Sequence, residues 1–340
     1  MEFTAAEFVG GNRKKREQFR QYILKWVLQN SRAKLMGRQH VVKQENEFGL
    51  KKSIEWDSAS KALDAHRGVL SHTVMFYDMT EPHAPVYENE NQRHMFRFLL
   101  DEHAVRETWY YPESAYWVTF DNSVPLLLLP YLNARLADID TCVRYAIPGH
   151  ITFSSGWEWG YWLIDWSIAR WSWSHRVNDT LMERYPSMYA REILGEDIAP
   201  LFDSLLRLQQ IYLKDSILMQ WMTAMTVTDE LPFKKLAKMF HPRPALGYKY
   251  IRNKATLGEL NQIKQNTLPL LNRFASTSLP YAFSLKNSCT SDTLGLCEEI
   301  AHGCEITALR ALHRLNTLSH IIAKREGEIF KKRFKSTHFL

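Results

Sequence analysis

Few of the features that settle a protein's class on sight are present here. Four cysteines in 340 residues do not make a disulfide framework, and buried thiols are the default reading for them. The longest strongly apolar stretch, Val124 to Leu132, is too short for a membrane span and contains two prolines. The start, Met1-Glu2-Phe3-Thr4-Ala5-Ala6-Glu7, has neither the basic opening nor the apolar core of a secretory signal, so the expected location is cytoplasmic, with no membrane partner. No glycine-rich phosphate loop, G-x-S-x-G elbow or H-E-x-x-H pair occurs. Cys297 and Cys304 lie seven apart on one helical face with His302 pointing elsewhere, which suits buried cysteine better than a metal site. Neither a metal nor a cofactor is expected.

Charge excludes less. Lys and Arg number 43 against 37 Asp and Glu, a mild net +6. The basic run Arg13-Lys14-Lys15-Arg16 and the group Lys324, Arg325, Lys331, Lys332 and Arg333 read as solvated surface, so nucleic acid is not an expected partner. A composition of 45% hydrophobic and 24% charged residues rules out disorder for the bulk of the chain.

Tryptophan is in excess and unevenly placed. Eight of the 11 fall in one window: Trp109, Trp117, Trp157, Trp159, Trp162, Trp166, Trp171 and Trp173. Core packing alone would spread them more evenly.

The chain opens with an amphipathic helix over about Arg13 to Gln29, in which Phe19, Tyr22, Ile23, Trp26 and Val27 recur at three- and four-residue spacing. A short strand is expected at His40–Lys43. Three strand–helix pairs follow: Val69–Tyr77 with a helix over Glu90–His103, Thr108–Tyr111 with a helix starting around Pro125 within Val124–Arg144, and His150–Phe153 with a helix over Glu158–Ser174. That alternation implies βαβ units and a parallel sheet. Beyond Asp179 helical patterns dominate, over Ile198–Met225, Thr256–Phe274 and Asp292–Phe330, the last with a stripe of Ile300, Cys304, Ala308, Leu312, Leu315 and Ile322. The expected class is α/β: a partial (β/α) barrel or small parallel sheet in residues 1–178, then an α-helical domain in residues 179–340. Three clear βα units are too few for a closed eight-stranded barrel, which takes about 250 residues.

Ligands of parallel α/β proteins sit at the carboxyl ends of strands. The expected strands end in Tyr77-Asp78, in Tyr110-Tyr111-Pro112-Glu113-Ser114-Ala115-Tyr116-Trp117, and in Ser154-Ser155-Gly156-Trp157-Glu158-Trp159-Gly160-Tyr161-Trp162, with Asp165 further on. Each delivers a carboxylate to one rim, and two deliver it between aromatic rings. Sugar rings stack their C–H faces on such rings and bond their hydroxyl edges to carboxylates. Glycoside cleavage needs two carboxyl groups across the scissile bond, one protonated and one ionised. The candidates are Glu113 and Glu158, then Asp78, with Trp117, Trp157, Trp159, Tyr111 and Tyr116 as substrate-stacking residues. Each also has a plainer reading. Glu158 fits the first turn of a helix, Glu113 a solvated loop, Asp78 a turn, and Trp162, Trp166 and Trp173 a helical core face.

The two aromatic–carboxylate motifs, followed by a helical tail, resemble the last strands of glycoside-hydrolase-like (β/α)8 barrel proteins, over about residues 68–175. The resemblance implies carbohydrate as substrate and acid/base hydrolysis as reaction. The chain departs from that pattern in lacking clear early strands. An incomplete barrel would keep a binding surface without catalysis, so a non-catalytic carbohydrate- or protein-binding module is the alternative. An open sheet edge would pair with a second copy or another polypeptide.

Overall fold

The computed structural model describes residues 13–32, 34, 36–39, 68–73, 76–84, 91–114, 126–154, 162–174, 185–215, 218–222, 248–290 and 292–337. Helix α1 (Arg13–Asn30) forms as its periodicity requires, yet it buries Val27 and leaves Phe19, Tyr22 and Trp26 in solvent.

Three parallel strands follow: β1 (Met36–Gln39), β2 (Gly68–His72) and β3 (Thr108–Tyr111), hydrogen-bonded in that order. β1 lies four residues before the expected His40–Lys43, which falls outside the described residues. The register explains the position. Met36 pairs with Gly68, where any Cβ would strike the Met36 sulfur and come within 2.9 Å of the Glu107 carbonyl. A glycine there lets the chains approach closely, and the polar sequence of β1 carries no β-branched signal.

β2 is buried along its whole length, as befits a parallel strand covered on both faces. It ends at His72 and not at Tyr77 as expected. The apolar run continues because Phe76 and Tyr77 pack into the core, with the Phe76 ring 5.9 Å from that of Tyr131. Helix α2 (Arg93–His103) connects β2 to β3.

Helix α3 (Pro130–Arg144) starts at Pro130 rather than near Pro125. Pro130 supplies a preset φ at the first turn, where no N–H is needed. Ahead of it Leu126–Leu129 is fully buried but not helical. Its backbone polar groups are satisfied from the helical region: Leu127 N–H donates to Thr307 Oγ1 (3.2 Å), Leu129 N–H to Gln209 Oε1 (2.8 Å), and Gln209 Nε2 to the Leu127 carbonyl (3.1 Å).

The segment at His150–Phe153 is less than a full strand. It joins β3 and the residues just past its end through two parallel bridges, Tyr110↔His150 and Glu113↔Phe153. Four parallel segments thus lie side by side in sequence order, followed by helix α4 (Trp162–Ser174). The described residues do not form a closed barrel.

The described residues beyond α4 are mainly helical, as expected: α5 (Tyr185–Leu194), α6 (Ala199–Gln209), α7 (Met219–Met222), α8 (Tyr248–Asn253), α9 (Leu257–Gln262), α10 (Leu268–Asn287) and α11 (Leu294–Thr337). A capping box starts α9, in which Thr256 Oγ1 accepts from Glu259 N–H (3.3 Å) and Glu259 Oε2 from Thr256 N–H (2.7 Å). Among the described residues no helix is long and apolar enough to cross a membrane.

Cysteine departs from the sequence reading. Cys289 and Cys297 form a disulfide between the end of α10 and the start of α11, with Cα atoms 6.1 Å apart. Cys142 and Cys304 remain buried thiols, and burial pushes the Cys304 thiol up to about 12.

One continuous core runs from Phe76 through Ile164, Phe202 and Leu271 to Ile322, across the 178/179 division. The α11 stripe is buried at Ile300, Cys304, Ala308 and Ile322, while Leu312 and Leu315 are half-buried; Leu318, outside the expected stripe, is fully buried. Leu318→Ala is therefore expected to cost about 2–5 kcal/mol, and Leu312→Ala less. Urea unfolding of both variants checks this; equal losses would show that the helix is rotated from this placement.

Candidate active site

Register places the rim. Because His72 pairs with Tyr111 at the ends of β2 and β3, the residues that follow both strands open on the same side. The bridge from Glu113 to Phe153 brings the third strand end alongside: Phe153 N–H donates to the Pro112 carbonyl (2.7 Å) and Ser114 N–H to the Phe153 carbonyl (3.0 Å).

Glu113 is not a solvated loop carboxylate. It is 2% exposed, and its Oε1 lies 3.7 Å from Nε2 of His72, itself 5% exposed. The other ring nitrogen of His72, Nδ1, is 2.8 Å from the Tyr111 carbonyl. The imidazole packs against the rings of Tyr111 (centroids 4.9 Å apart) and Phe153 (6.1 Å). The buried Tyr111 therefore walls this pair and is not an open stacking platform.

Behind the rim lies a second buried cluster. Arg135 on α3, 1% exposed, donates from Nη2 to the Tyr77 carbonyl (2.6 Å) and from Nη1 to the Glu113 carbonyl (3.1 Å). One guanidinium thus fixes the loops after β2 and β3. Nη2 also lies 3.1 Å from Asp138 Oδ2, one helical turn away. Asp138 accepts further bonds from the Tyr110 hydroxyl (2.6 Å) and Met79 N–H (2.8 Å). Burial raises the Tyr110 phenol far above its ordinary range, so it remains a donor to Asp138 and accepts from Thr73 Oγ1 (2.5 Å).

Burial also raises the Asp138 carboxyl to about 6, against the downward pull of Arg135 and Tyr110. Because the folded value exceeds the ordinary 3.8, this group favours the folded state most below about pH 4. Its contribution falls as pH rises to about 6 and is flat above. The wild type should lose stability over that window relative to Asp138→Asn. Urea midpoints measured stepwise in pH check it; parallel curves for the two proteins would contradict it.

Asp165, in the first turn of α4, ties the last two strand ends together. It accepts from Ser114 Oγ at short range and from Ser154 Oγ at 2.6 Å. Asp78 closes a turn: its Oδ1 accepts from Thr80 N–H (2.9 Å) and Thr80 Oγ1 (2.8 Å). The plainer reading of Asp78 thus has direct support. Glu158, Trp117, Trp157, Trp159 and Tyr116 lie outside the described residues.

Comparison with protein-family models, curated proteins and solved structures found no match to this chain. What the rim can do follows from its own residues. Among the described residues no cluster of His, Cys, Asp or Glu could hold a metal ion. The rim holds a buried carboxyl beside an imidazole, with its backbone clamped from behind.

Sequence reasoning missed His72, Arg135 and Asp138. His72 is hidden in an apolar run. Arg135 and Asp138 carried a signal: an opposite-charge pair three apart, on a helix whose other faces are largely apolar. The tryptophan-rich helix divides. Trp171 is core, Trp162 and Trp166 are half-buried, and Trp173 is 91% exposed.

Proposed function

We propose that this chain is a carbohydrate-active protein of glycoside-hydrolase type, with Glu113 and Glu158 as its paired carboxylates. The observation that carries the proposal is the burial of Glu113 at the carboxyl end of β3, against His72 and bridged to the segment that leads into Glu158. In this reaction one carboxyl protonates the leaving glycosidic oxygen. The other attacks the anomeric carbon or activates the water that does, and water finally supplies the new hydroxyl. Carboxyl groups about 5–5.5 Å apart retain configuration, and groups about 6.5–9.5 Å apart invert it. The tryptophans around Glu158 supply the sugar-stacking faces.

A second reading has a specific support. Three paired strands and one bridged segment, among the described residues, fall short of the eight of a closed barrel. A non-catalytic carbohydrate- or protein-binding module, or a half-barrel completed by a second polypeptide at β1, fits that sheet. A glycan array together with a panel of chromogenic glycosides separates the readings. Release of chromophore supports hydrolysis, glycan retention without release supports binding alone, and the absence of both removes carbohydrate from the account.

A further inference from the structure

We propose that His72 is the fixed counter-cation of Glu113, so that Glu113 is held as an ionised carboxylate, in the role of nucleophile or base. That role rests on the carbohydrate reading above; the charge state of His72 rests on geometry alone.

The first ground is the tautomer. The Tyr111 carbonyl, 2.8 Å from Nδ1, can only accept. Nδ1 therefore carries a hydrogen, and the ring's exchangeable position is Nε2. The second is the partner of that position. Nε2 faces Glu113 Oε1 at 3.7 Å, an ion-pair separation. A ring lone pair facing a carboxylate would repel it, whereas an N–H of an imidazolium attracts it.

The third ground is burial. Side-chain exposures of 6% and 3% leave little water to screen either charge. A lone charge here would be far costlier than a matched pair. Imidazolium is also the weaker acid of the two, with an ordinary value near 6.5 against about 4.3 for a glutamic acid, so a shared proton resides on the ring.

The neighbouring groups are consistent with this assignment. Tyr111 from β3 and Phe153 from the bridged segment present rings to the imidazole. Arg135 from α3 holds the Glu113 carbonyl, and its positive charge favours an ionised Glu113. Asp138 on the same helix is engaged by Arg135, Tyr110 and Met79. His72 is thus a positioning residue: it sets the charge of Glu113 without touching substrate.

The test is nitrogen-15 NMR of the full chain labelled at histidine, with the His72 signals assigned by their loss in His72→Gln. At pH 7 the wild-type ring should be protonated on both nitrogens. In Glu113→Gln it should be neutral with its proton on Nδ1, and its titration midpoint should fall by about 1–3 pH units. Glu113→Asp, which keeps the charge, should keep the imidazolium. A neutral wild-type ring at pH 7 overturns the proposal, whether or not the variants fold; so does an unchanged midpoint in a folded Glu113→Gln. A neutral ring in a chain that cleaves glycosides sinks this proposal and leaves the function standing. An imidazolium in a chain that cleaves none does the reverse: the ion pair stands and the role of Glu113 falls with the function.

Discussion

Arg135→Ala should destabilise the protein by about 3–5 kcal/mol, the loss that follows when one partner of a buried ion pair is removed. Three groups each lose the Arg135 donor at once: the Asp138 carboxylate, which keeps Tyr110 and Met79, and the carbonyls of Tyr77 and Glu113. Each uncompensated buried carbonyl costs about 1–3 kcal/mol, not fully additive with the charge. Arg135→Met combined with Asp138→Leu should recover part of the loss, since a buried pair is often replaceable by apolar residues of similar volume. It should not recover all of it, because the two carbonyls still lack the Arg135 donors. Urea unfolding of the single and double variants separates these contributions. A change within about 0.5 kcal/mol for Arg135→Ala, the range of ordinary surface substitutions, would show that the clamp does not form.

The second large effect falls on Glu113. Removing a positioned acid, base or nucleophile typically lowers turnover by about 10²–10⁴-fold. Glu113→Gln keeps the shape of a side chain that is 2% exposed, so its fold should survive while its charge and proton chemistry are lost. Turnover of a chromogenic glycoside should fall by that factor, and the urea midpoint at pH 7 should fall as well, because the buried pairing with His72 is lost. Unchanged turnover in a folded Glu113→Gln would contradict its role in the chemistry.

Much of this was legible in the residues. β3 and the helical tail follow from local pattern. What was not legible depends on contacts between distant segments. β1 has a polar sequence and exists because Gly68 lets Met36 approach. The leucine run before α3 stays buried and non-helical because Gln209 and Thr307 satisfy its backbone from another region. His72 gained a role only when register placed it opposite Tyr111 and within reach of Glu113. For Asp78 the turn reading was local, since its partner, Thr80, is only two residues away. The disulfide escaped because cysteine counts describe frameworks and not single crosslinks.

The most direct test of paired carboxylates at the rim is the pH–rate profile of glycoside hydrolysis for the wild type, Glu113→Gln and Glu158→Gln. The wild type should give a bell, with one limb set by the ionised carboxylate and the other by the proton donor. Both variants should lose the bell together with at least about 10²-fold in rate. Retention of the wild-type profile in either variant would remove that residue from the chemistry, and failure of the wild type to cleave any glycoside in the panel would contradict the account at its centre.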